Sequence, residues 1–372
     1  MLVYKRILYK IACLTTKVDD KAVFFESFQG RNYSCSPKAI FEEMKTSGEY
    51  KDYQYTWAFR DVDKNYSDKS DSIVRYESYA YYKALAKAKY WILNSNTRKF
   101  LKPRKEQVYV QTWHGTPLKK IGLDVPGSGL NYGHEGKKFS YMISPSKYCS
   151  EKLISAFGLQ GREDIILETG YPRNDELFDF DQDKVDRIKD ELGIPADKKV
   201  ILYAPTFRDN KHSQIKGYEN AAGLDFEKLQ NVLGNEYLVL FRAHYFVASQ
   251  IDFDSLDEFV IDASDYEDIN DLYIVSDLLV TDYSSVFFDY ANLKRPIIFY
   301  MYDYEDYKEN ARDFYLAESE LPGPVTKTQE ELEKVIKMTS DFTPDAKYTE
   351  FNNKFNYLDG KQKGLEVARR IF

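Results

Sequence analysis

The stretch VYVQTWHGTPLKK, residues 108–120, joins an apolar strand to a polar turn and two lysines. His114 follows the strand Val108–Gln111 and precedes Gly115, where a backbone or a substrate can approach closely. A turn that follows a strand lies at the carboxyl edge of an α/β sheet, where such proteins bind ligands. Because histidine titrates near neutrality, His114 can accept a proton from a hydroxyl group. The plainer alternative makes His114 a hydrogen-bonded turn residue and the lysines the start of a solvated helix.

A second stretch, residues 277–290, reads as an apolar strand, a polar turn and an amphipathic helix. Ser284 and Ser285 lie where this helix begins, and free backbone N–H groups there, with the helix dipole, favour a phosphate. Thr281 and Asp282 come just before the serines and are expected to shape the turn. The alternative is ordinary capping of the helix by one of the serines.

Two more predicted strands end in basic residues. Residues 198–203 run into a turn that contains Arg208, and residues 237–241 run into Arg242 and His244. Taken singly, the arginines read as surface ion-pair residues and His244 as a hydrogen-bonded core histidine. Taken together, three strand ends in one half of the chain converge on an anionic ligand, because parallel strands end at one edge of a sheet.

Strand-like and helical segments alternate along both halves of the chain, with a charged stretch at residues 178–197 between them. This pattern predicts an α/β protein with two parallel-sheet domains. The predicted division is a basic helix in residues 1–19, a first domain in 20–180 and a second in 181–372, whose last helix is a candidate to cross back. The predicted strands lie at residues 22–28, 53–59, 73–76, 90–93, 108–111, 141–143, 165–167, 200–203, 237–241, 259–261, 278–280 and 296–299.

Length and composition fit two globular domains. The 372 residues are 43% hydrophobic and 16% aromatic, which is enough for two cores. The formal charge of −8 argues against general nucleic-acid binding, since proteins that track phosphates usually carry a basic excess. Cys13, Cys35 and Cys149 form no C-x-x-C pair and indicate the reduced thiols of a cytoplasmic protein.

The first seventeen residues form a basic amphipathic pattern. Such a helix can lie on an anionic membrane, or it can pack on its own domain with its basic face in water. No stretch of the sequence approaches the ~18 to 20 apolar residues that span a bilayer. The apolar residues at helical spacing are Val3, Ile7, Ile11 and Leu14, and the basic ones among them are Lys5, Arg6, Lys10 and Lys17.

Five motifs, in order along the chain, together resemble one family. They are WHGTPLK at residues 113–119, TGYPRND at 169–175, YAPTFRD at 203–209, RAH at 242–244 and VTDYSSVFFDYANLKRPIIFY at 280–300. They resemble the CDP-glycerol glycerophosphotransferase family, which builds teichoic acids and related polyol-phosphate polymers of bacterial cell walls and capsules. The resemblance runs from roughly residue 20 to the last residue, and several motifs in the correct order are more specific than any single one.

This resemblance implies a GT-B-type α/β architecture, in which two Rossmann-like parallel-sheet domains face a cleft. The second domain would bind the CDP-polyol donor, and the acceptor would enter from the first. The implied reaction is attack of an acceptor hydroxyl on the β-phosphorus of the donor, which forms a phosphodiester and expels CMP. The implied residues are His114 as the base, His244 as a second functional histidine, and Arg208, Arg242, Thr281, Asp282, Ser284 and Ser285 for donor binding.

The TGYPRND motif and Asp282 each have more than one interpretation. A plainer interpretation of TGYPRND is that Asn174 or Asp175 caps the helix that follows. In the donor set, Asp282 is awkward because a carboxylate beside a diphosphate is repulsive, so it would orient a neighbour, contact a polyol hydroxyl or cap the helix. The resemblance implies five candidate cleft residues on the acceptor side: Gly115, Thr116, Lys119, Arg173 and Asn174.

The implied partners are CDP-glycerol or CDP-ribitol, a lipid-linked glycan or polyol-phosphate acceptor, and an anionic membrane surface, with no nucleic acid. No cofactor is expected, since the sequence has no metal-binding motif, but a divalent ion carried in with the diphosphate stays open. Because acceptors of this family are lipid-linked, we expect a peripheral enzyme on the inner face of the cell membrane. The short segment before the first strand favours single addition over polymerisation. The rival hypothesis is a GT-B glycosyltransferase with a nucleotide-sugar donor, since fold alone does not fix chemistry.

Overall fold

The computed structural model of this chain describes residues 2–62, 71–127, 132–206, 223–243, 253–256, 259–305 and 313–372. The chain divides into two compact units. It changes unit after Asp175 rather than after residue 180, and its last segment belongs to the first unit. The first unit comprises Met1–Thr116, Ile121–Asp175 and Tyr357–Phe372, and the second comprises Pro117–Lys120 and Glu176–Asn356.

A parallel sheet forms the centre of the first unit. Its strands are β1 (Asp19–Glu26), β2 (Gln54–Phe59), β3 (Ser72–Arg75), β4 (Ala88–Leu93), β5 (Val108–Gln111), β6 (Tyr141–Ser144) and β7 (Ile166–Glu168). The strand order is β3-β2-β1-β4-β5-β6-β7, and each neighbouring pair is parallel. The order reverses between β1 and β4, and in such sheets ligands bind beyond the carboxyl ends of the strands at the reversal.

The sheet of the second unit repeats this plan. Its strands are β8 (Lys199–Ala204), β9 (Tyr237–Phe241), β10 (Val260–Asp262), β11 (Leu278–Thr281), β12 (Ile297–Tyr300) and β13 (Val325–Thr326). They lie in the order β10-β9-β8-β11-β12-β13, again with parallel neighbours. The order reverses between β8 and β11, so the turns after these two strands lie side by side.

Helices form many of the crossover connections between the parallel strands, whereas residues 94–107, which join β4 to β5, contain no helix. Short 3₁₀ turns occur at Gly122–Asp124, Glu163–Ile165, Pro172–Phe178, Phe253–Leu256, Ala291–Leu293 and Glu318–Glu320. In the described part of the chain the α-helices are α1 (Leu2–Thr15), α2 (Cys35–Thr46), α3 (Tyr79–Lys87), α4 (Tyr132–Gly136), α5 (Lys147–Phe157), α6 (Gln182–Leu192), α7 (Phe226–Leu233), α8 (Ile269–Val275), α9 (Val286–Tyr290), α10 (Gln329–Lys337), α11 (Ala346–Phe355) and α12 (Lys363–Ile371).

Local sequence explains where several helices begin and end. The Ser146 hydroxyl accepts the backbone N–H of Cys149 and so caps α5, and Gly158 ends this helix in the left-handed conformation, with φ 63°. Thr328 and Glu331 form a capping box at the start of α10. These short signals fix the ends of the elements, and the apolar strands between them supply the cores.

Each unit has its own aromatic-rich core. In the first unit Trp57 and Trp91 are fully buried, and the ring of Phe25 stacks on Trp57 at 5.4 Å. The strands of both sheets are apolar over most of their length because helices cover both faces. The prediction of an α/β chain with two parallel sheets is confirmed, and the strand that the sequence did not predict is the two-residue β13.

Candidate active site

His114 lies in a tight turn just beyond β5, in the first unit. Trp113 adopts the left-handed conformation, with φ 53°, and its N–H donates to the side-chain oxygen of Gln111 at 3.0 Å. This conformation is strained for a bulky residue, and it stacks the Trp113 ring on the imidazole of His114 at 4.1 Å. The strained turn therefore holds the imidazole in one orientation at the sheet edge.

One hydrogen bond determines which nitrogen of His114 carries the proton. Its Nδ1 lies 2.6 Å from the backbone oxygen of Asn94, the residue after β4. A carbonyl oxygen can only accept, so Nδ1 carries the proton of the neutral ring and Nε2 keeps its lone pair. The side chain of Asn94 accepts the N–H of Phe28, whose ring lies 5.9 Å from the imidazole. His114 is thus arranged to accept a proton at Nε2.

The surroundings of His114 keep it neutral. Removal from water lowers its pKa to about 4, and the positive charge of Arg173 adds to this effect. The backbone oxygen of Asn94 opposes the shift, since its hydrogen bond favours the protonated ring. At neutral pH nearly every molecule therefore holds the base form of His114.

We expect the pH profile of the reaction to report this shift. If His114 is the base, kcat/KM should fall on acidification only near pH 4, because a depressed pKa leaves the base form intact through pH 6.5. The unfolded chain binds the proton at its ordinary, higher pKa, so this residue also makes the fold less stable as the pH falls from about 6.5 towards 4. Initial rates measured from pH 3.5 to 8, with circular dichroism to confirm folding, check the prediction. An acidic limb centred at pH 6.5 would contradict it.

Arg173 is the predicted cleft residue that contacts the His114 turn. Its Nη1 donates to the backbone oxygen of His114 at 2.5 Å, and its guanidinium lies over the Tyr171 ring, 5.0 Å from the centroid. The side chain is buried, so its charge acts in a medium of low dielectric. The structure therefore places Arg173 in contact with His114, which Gly115 follows, within the first unit.

The remainder of TGYPRND is held by the returning C-terminal segment. Asp359 accepts the N–H of Tyr171 and the side-chain amide of Asn174, both at 2.8 Å. Gly170, with φ 89°, is required there because a Cβ would meet the backbone oxygen of Leu358 at 2.4 Å. Asn174 therefore positions this turn, and the interpretation of Asn174 as a cap of the helix that follows is wrong.

Asp175 does act at a helix terminus, but not at the predicted one. Its Oδ2 accepts the N–H of Gly364 at 2.9 Å, in the first turn of α12. Burial raises the pKa of this carboxyl to about 8. The partner helix is almost two hundred residues away in sequence, so the local pattern could not have indicated it.

Lys119 belongs to the second unit, whereas the other predicted cleft residues belong to the first. Leu118 and Lys120 exchange backbone hydrogen bonds of 2.8 Å with Tyr315 and Asp313, and Lys119 forms an antiparallel bridge with Phe314. The lysines therefore continue an extended segment of the second unit, and the alternative that they start a helix is wrong. Thr116, the last residue before this segment, is buried.

In the second unit, the turn after β11 is built around Asp282. Both of its carboxylate oxygens accept the N–H of Thr206, at 2.9 and 3.1 Å, and Oδ1 also accepts the N–H of Tyr283. The hydroxyl of Thr281 donates to the backbone oxygen of Ala204 at 2.8 Å. These two residues join the turns after β8 and β11 where the strand order reverses. Asp282 was predicted to orient a neighbour, contact a polyol hydroxyl or cap the helix, and these bonds correspond to the first role, with Thr206 and Tyr283 as the neighbours.

Ser284 and Ser285 follow this turn and are partly exposed. Ser285 occupies the N-cap position of α9 but makes no side-chain capping bond, so the alternative of ordinary capping is wrong for Ser285. Helix α9 spans five residues, Val286–Tyr290, so its dipole is smaller than the sequence suggested. The serine hydroxyls and backbone N–H groups are therefore the donors that this turn offers.

Arg242 follows β9 in the same unit. Its Nη1 donates to the backbone oxygens of Ala263 and Tyr266 at 2.8 and 2.7 Å, which fixes the guanidinium beside β10. Within the described ranges no hydrogen bond involves its Nε or Nη2. The predicted functional residues His244 and Arg208 lie outside the described residues. Among the residues that are described, no cluster of three or more His, Cys, Asp or Glu side chains could hold a metal ion.

Two positioning residues are missing from the sequence-based site. Asn94 could have been found, because it directly follows a predicted strand at the same sheet edge as His114. Asp359 gave no local signal, since its partners Tyr171 and Asn174 lie in a distant motif. Contacts of this second kind depend on chain topology rather than on any short pattern.

Comparison with known proteins identifies the family. Residues 7–372 match the model described as CDP-Glycerol:Poly(glycerophosphate) glycerophosphotransferase. The chain is 39% identical over 387 residues to a teichoic acid poly(glycerol phosphate) polymerase of Bacillus spizizenii, covering 99% of this chain and 98% of that protein. It is 39% identical over 382 residues to a teichoic acid glycerol-phosphate transferase of Staphylococcus aureus, covering 98% and 96%.

A solved structure of the wall teichoic acid polymerase TagF is similar over the whole chain. Its TM-score is 0.90 at 37% identity, covering 100% of this chain and 93% of that chain. The predicted GT-B-type fold class is thereby confirmed. The family model confirms the predicted enzyme class, a glycerophosphotransferase. The chain belongs to the CDP-glycerol:poly(glycerophosphate) glycerophosphotransferase family.

Proposed function

We propose that this enzyme transfers glycerol phosphate from CDP-glycerol to a hydroxyl of a lipid-linked glycan or polyol-phosphate acceptor and releases CMP. One observation carries the mechanism: His114 is neutral, and its Nδ1–H is held by Asn94, so Nε2 is free to take the proton of the attacking hydroxyl. The hydroxyl oxygen then forms a bond to the β-phosphorus as the bond from that phosphorus to the oxygen of CMP breaks. The side chain of Arg173 holds the His114 turn in place through its hydrogen bond to the backbone oxygen of this histidine.

The donor side of the proposal rests on the second unit. The N–H donors of Arg242 and the hydroxyls of Ser284 and Ser285 would contact the diphosphate, and Asp282 would keep their turn in place. Such a step needs mainly positioning and charge neutralisation. We choose glycerol as the polyol because both curated relatives described above are named for glycerol phosphate. Chain length does not separate single addition from polymerisation, since the Bacillus spizizenii polymerase is matched over 98% of its length.

CMP release by the purified protein tests the proposal. CDP-glycerol and CDP-ribitol are supplied separately, each with lipid-linked disaccharide and glycerol-phosphate-primed acceptors. We expect CMP release that requires both CDP-glycerol and an acceptor, and product length shows whether one unit or many are added. Parallel reactions with EDTA show whether a divalent ion takes part. Absence of release from folded protein with either donor would overturn the proposal.

We also propose that the enzyme associates peripherally with the inner face of the cell membrane, through α1. This helix packs on α3 through Tyr9 and Ala12, and its opposite side presents an apolar stripe. A stripe of this kind beside basic residues is typical of helices that lie in a membrane interface. The described helices include none that is long and apolar enough to cross a bilayer. The stripe residues and their exposed fractions are Val3 72%, Tyr4 62%, Ile7 49%, Ile11 42% and Leu14 87%.

Removal of the stripe should weaken membrane binding. We expect the double variant Ile7→Ser, Ile11→Ser to lose most of its co-sedimentation with vesicles of phosphatidylglycerol and phosphatidylcholine, because less apolar surface is buried in the interface. CMP release with a soluble primed acceptor should stay unchanged. The matched control is Val232→Ser with Met338→Ser, which removes exposed apolar side chains from the second unit. Equal vesicle binding by all three proteins would contradict the association through α1.

A further inference from the structure

A groove of about 930 Å³ runs between α1 and residues 98–102, entirely within the first unit. Leu2, Val3, Leu14 and Phe100 give it an apolar lining. Leu2 and Leu14, near the two ends of α1, are 60% and 87% exposed. The volume is that of a site for a small molecule rather than of a surface irregularity.

The groove has a fixed wall. The hydroxyl of Tyr9 donates to the backbone oxygen of Lys102 at 2.5 Å and so ties α1 to the opposite side of the groove. The Tyr9 ring packs between Tyr82 and Phe100, with centroids 6.2 and 6.4 Å away. Because Tyr9 is buried, this connection belongs to the core of the unit, and the groove persists without a ligand.

Five basic side chains, all exposed, surround the apolar lining. The Nε of Arg98 is paired with Glu77 at 2.7 Å, and Lys5 shares that carboxylate. The other four basic side chains have no carboxylate within ion-pair distance in the described part of the chain, although the whole chain carries a charge of −8. This local excess of positive charge favours an anion at the rim. The five residues are Arg6, Lys10, Arg98, Lys99 and Lys102.

The apolar lining and the basic rim of the groove together indicate which class of ligand it can bind. An apolar lining under a cationic rim fits an amphiphile with an anionic head, and it disfavours nucleic acid, a neutral lipid or a choline headgroup. Val3 and Leu14 belong to both the groove and the exposed stripe of α1, so the two surfaces are continuous. A lipid of the bilayer on which the stripe rests would therefore reach the groove directly.

We propose that this groove binds one anionic phospholipid, with its phosphate between Lys99, Lys102 and Lys10 and the upper part of an acyl chain along Leu14 and Phe100. The inference rests on the proposed membrane association and deepens it, because it adds a saturable site to a general affinity for the surface. Occupation by a lipid of one charge class would make membrane binding depend on headgroup identity as well as on charge density.

Isothermal titration with short-chain lipids below their micelle concentration tests the groove without a bilayer. We expect dihexanoyl-phosphatidylglycerol to bind with 1:1 stoichiometry and dihexanoyl-phosphatidylcholine to bind at least about tenfold more weakly. The variant Lys99→Ala, Lys102→Ala should weaken phosphatidylglycerol binding by about tenfold or more. The control Lys51→Ala, Lys83→Ala removes two exposed lysines that do not line the groove and should bind normally.

Two further variants distinguish lipid binding in the groove from vesicle binding by the stripe and from CMP release. Ile7→Ser, Ile11→Ser, which lies outside the groove lining, should keep the monomeric lipid while binding vesicles poorly. CMP release by Lys99→Ala, Lys102→Ala with a soluble acceptor should be normal, so loss of lipid binding is distinguishable from loss of the proposed reaction. Absence of saturable binding, equal binding of the two lipids, or an equal effect of the control lysines would each overturn the groove proposal.

Discussion

The variant His114→Ala is expected to lower kcat for CMP release by about 10²–10⁴-fold, which is the usual contribution of a general base. The reason is that Nε2 of His114 is the lone-pair acceptor left when Nδ1 donates to Asn94. Affinity for CDP-glycerol should change little, because the proposed donor residues lie in the second unit and His114 in the first. Steady-state CMP release gives kcat, and titration calorimetry with CDP-glycerol gives the dissociation constant.

His134 provides a matched control for this experiment. It lies in the same unit and has no place in the proposed mechanism. We expect His134→Ala to retain wild-type kcat with the soluble acceptor. A His114→Ala enzyme that turns over normally would exclude His114 as the base, and a variant that loses CDP-glycerol binding would show that its role is not confined to proton transfer.

The sheets could be predicted because each strand carries its own signal. Val108–Gln111 and Tyr237–Phe241 have the predicted bounds, since buried parallel strands are continuous apolar runs closed by polar turns. The two-residue β13 carries too short a run to be recognised. Because strand ends converge on one edge, the placement of His114 and Asp282 at the two sheet edges followed from the same pattern.

The remainder of the site depends on contacts between distant parts of the chain. Asp359 holds the turn of Tyr171, and Asp175 bonds to Gly364, because the C-terminal segment returns to the first unit. Lys119 likewise pairs with Phe314 in an extended segment, whereas one sequence-based alternative placed the start of a helix at the two lysines. Local propensity did not specify these partners, since each one is chosen by the tertiary fold.

The backbone partners of Asp282 explain why a carboxylate lies next to the proposed diphosphate site. Asp282 is buried and accepts the N–H groups of both Thr206 and Tyr283, so its carboxylate fixes the turns after β8 and β11. We therefore expect Asp282→Ala to leave the part-buried N–H of Thr206 and the buried N–H of Tyr283 without this acceptor, at a cost of up to about 1–3 kcal/mol each. The turns would lose their fixed arrangement.

Loss of that arrangement should appear in donor binding. We expect the dissociation constant of CDP-glycerol to rise by about tenfold or more in Asp282→Ala, since about 1.4 kcal/mol corresponds to a factor of ten. Asp282→Asn keeps one acceptor oxygen and should show an intermediate effect. Calorimetric titration and thermal unfolding of the same variants measure both consequences.

The control for Asp282 is Asp225→Ala. Asp225 also accepts a backbone N–H in the second unit, that of Lys228 at 2.9 Å, but it is exposed and water can replace it. We expect this variant to bind CDP-glycerol normally. If Asp282→Ala instead kept its donor affinity and changed only the preference between CDP-glycerol and CDP-ribitol, the carboxylate would be a contact of the polyol, and the positioning role would be wrong.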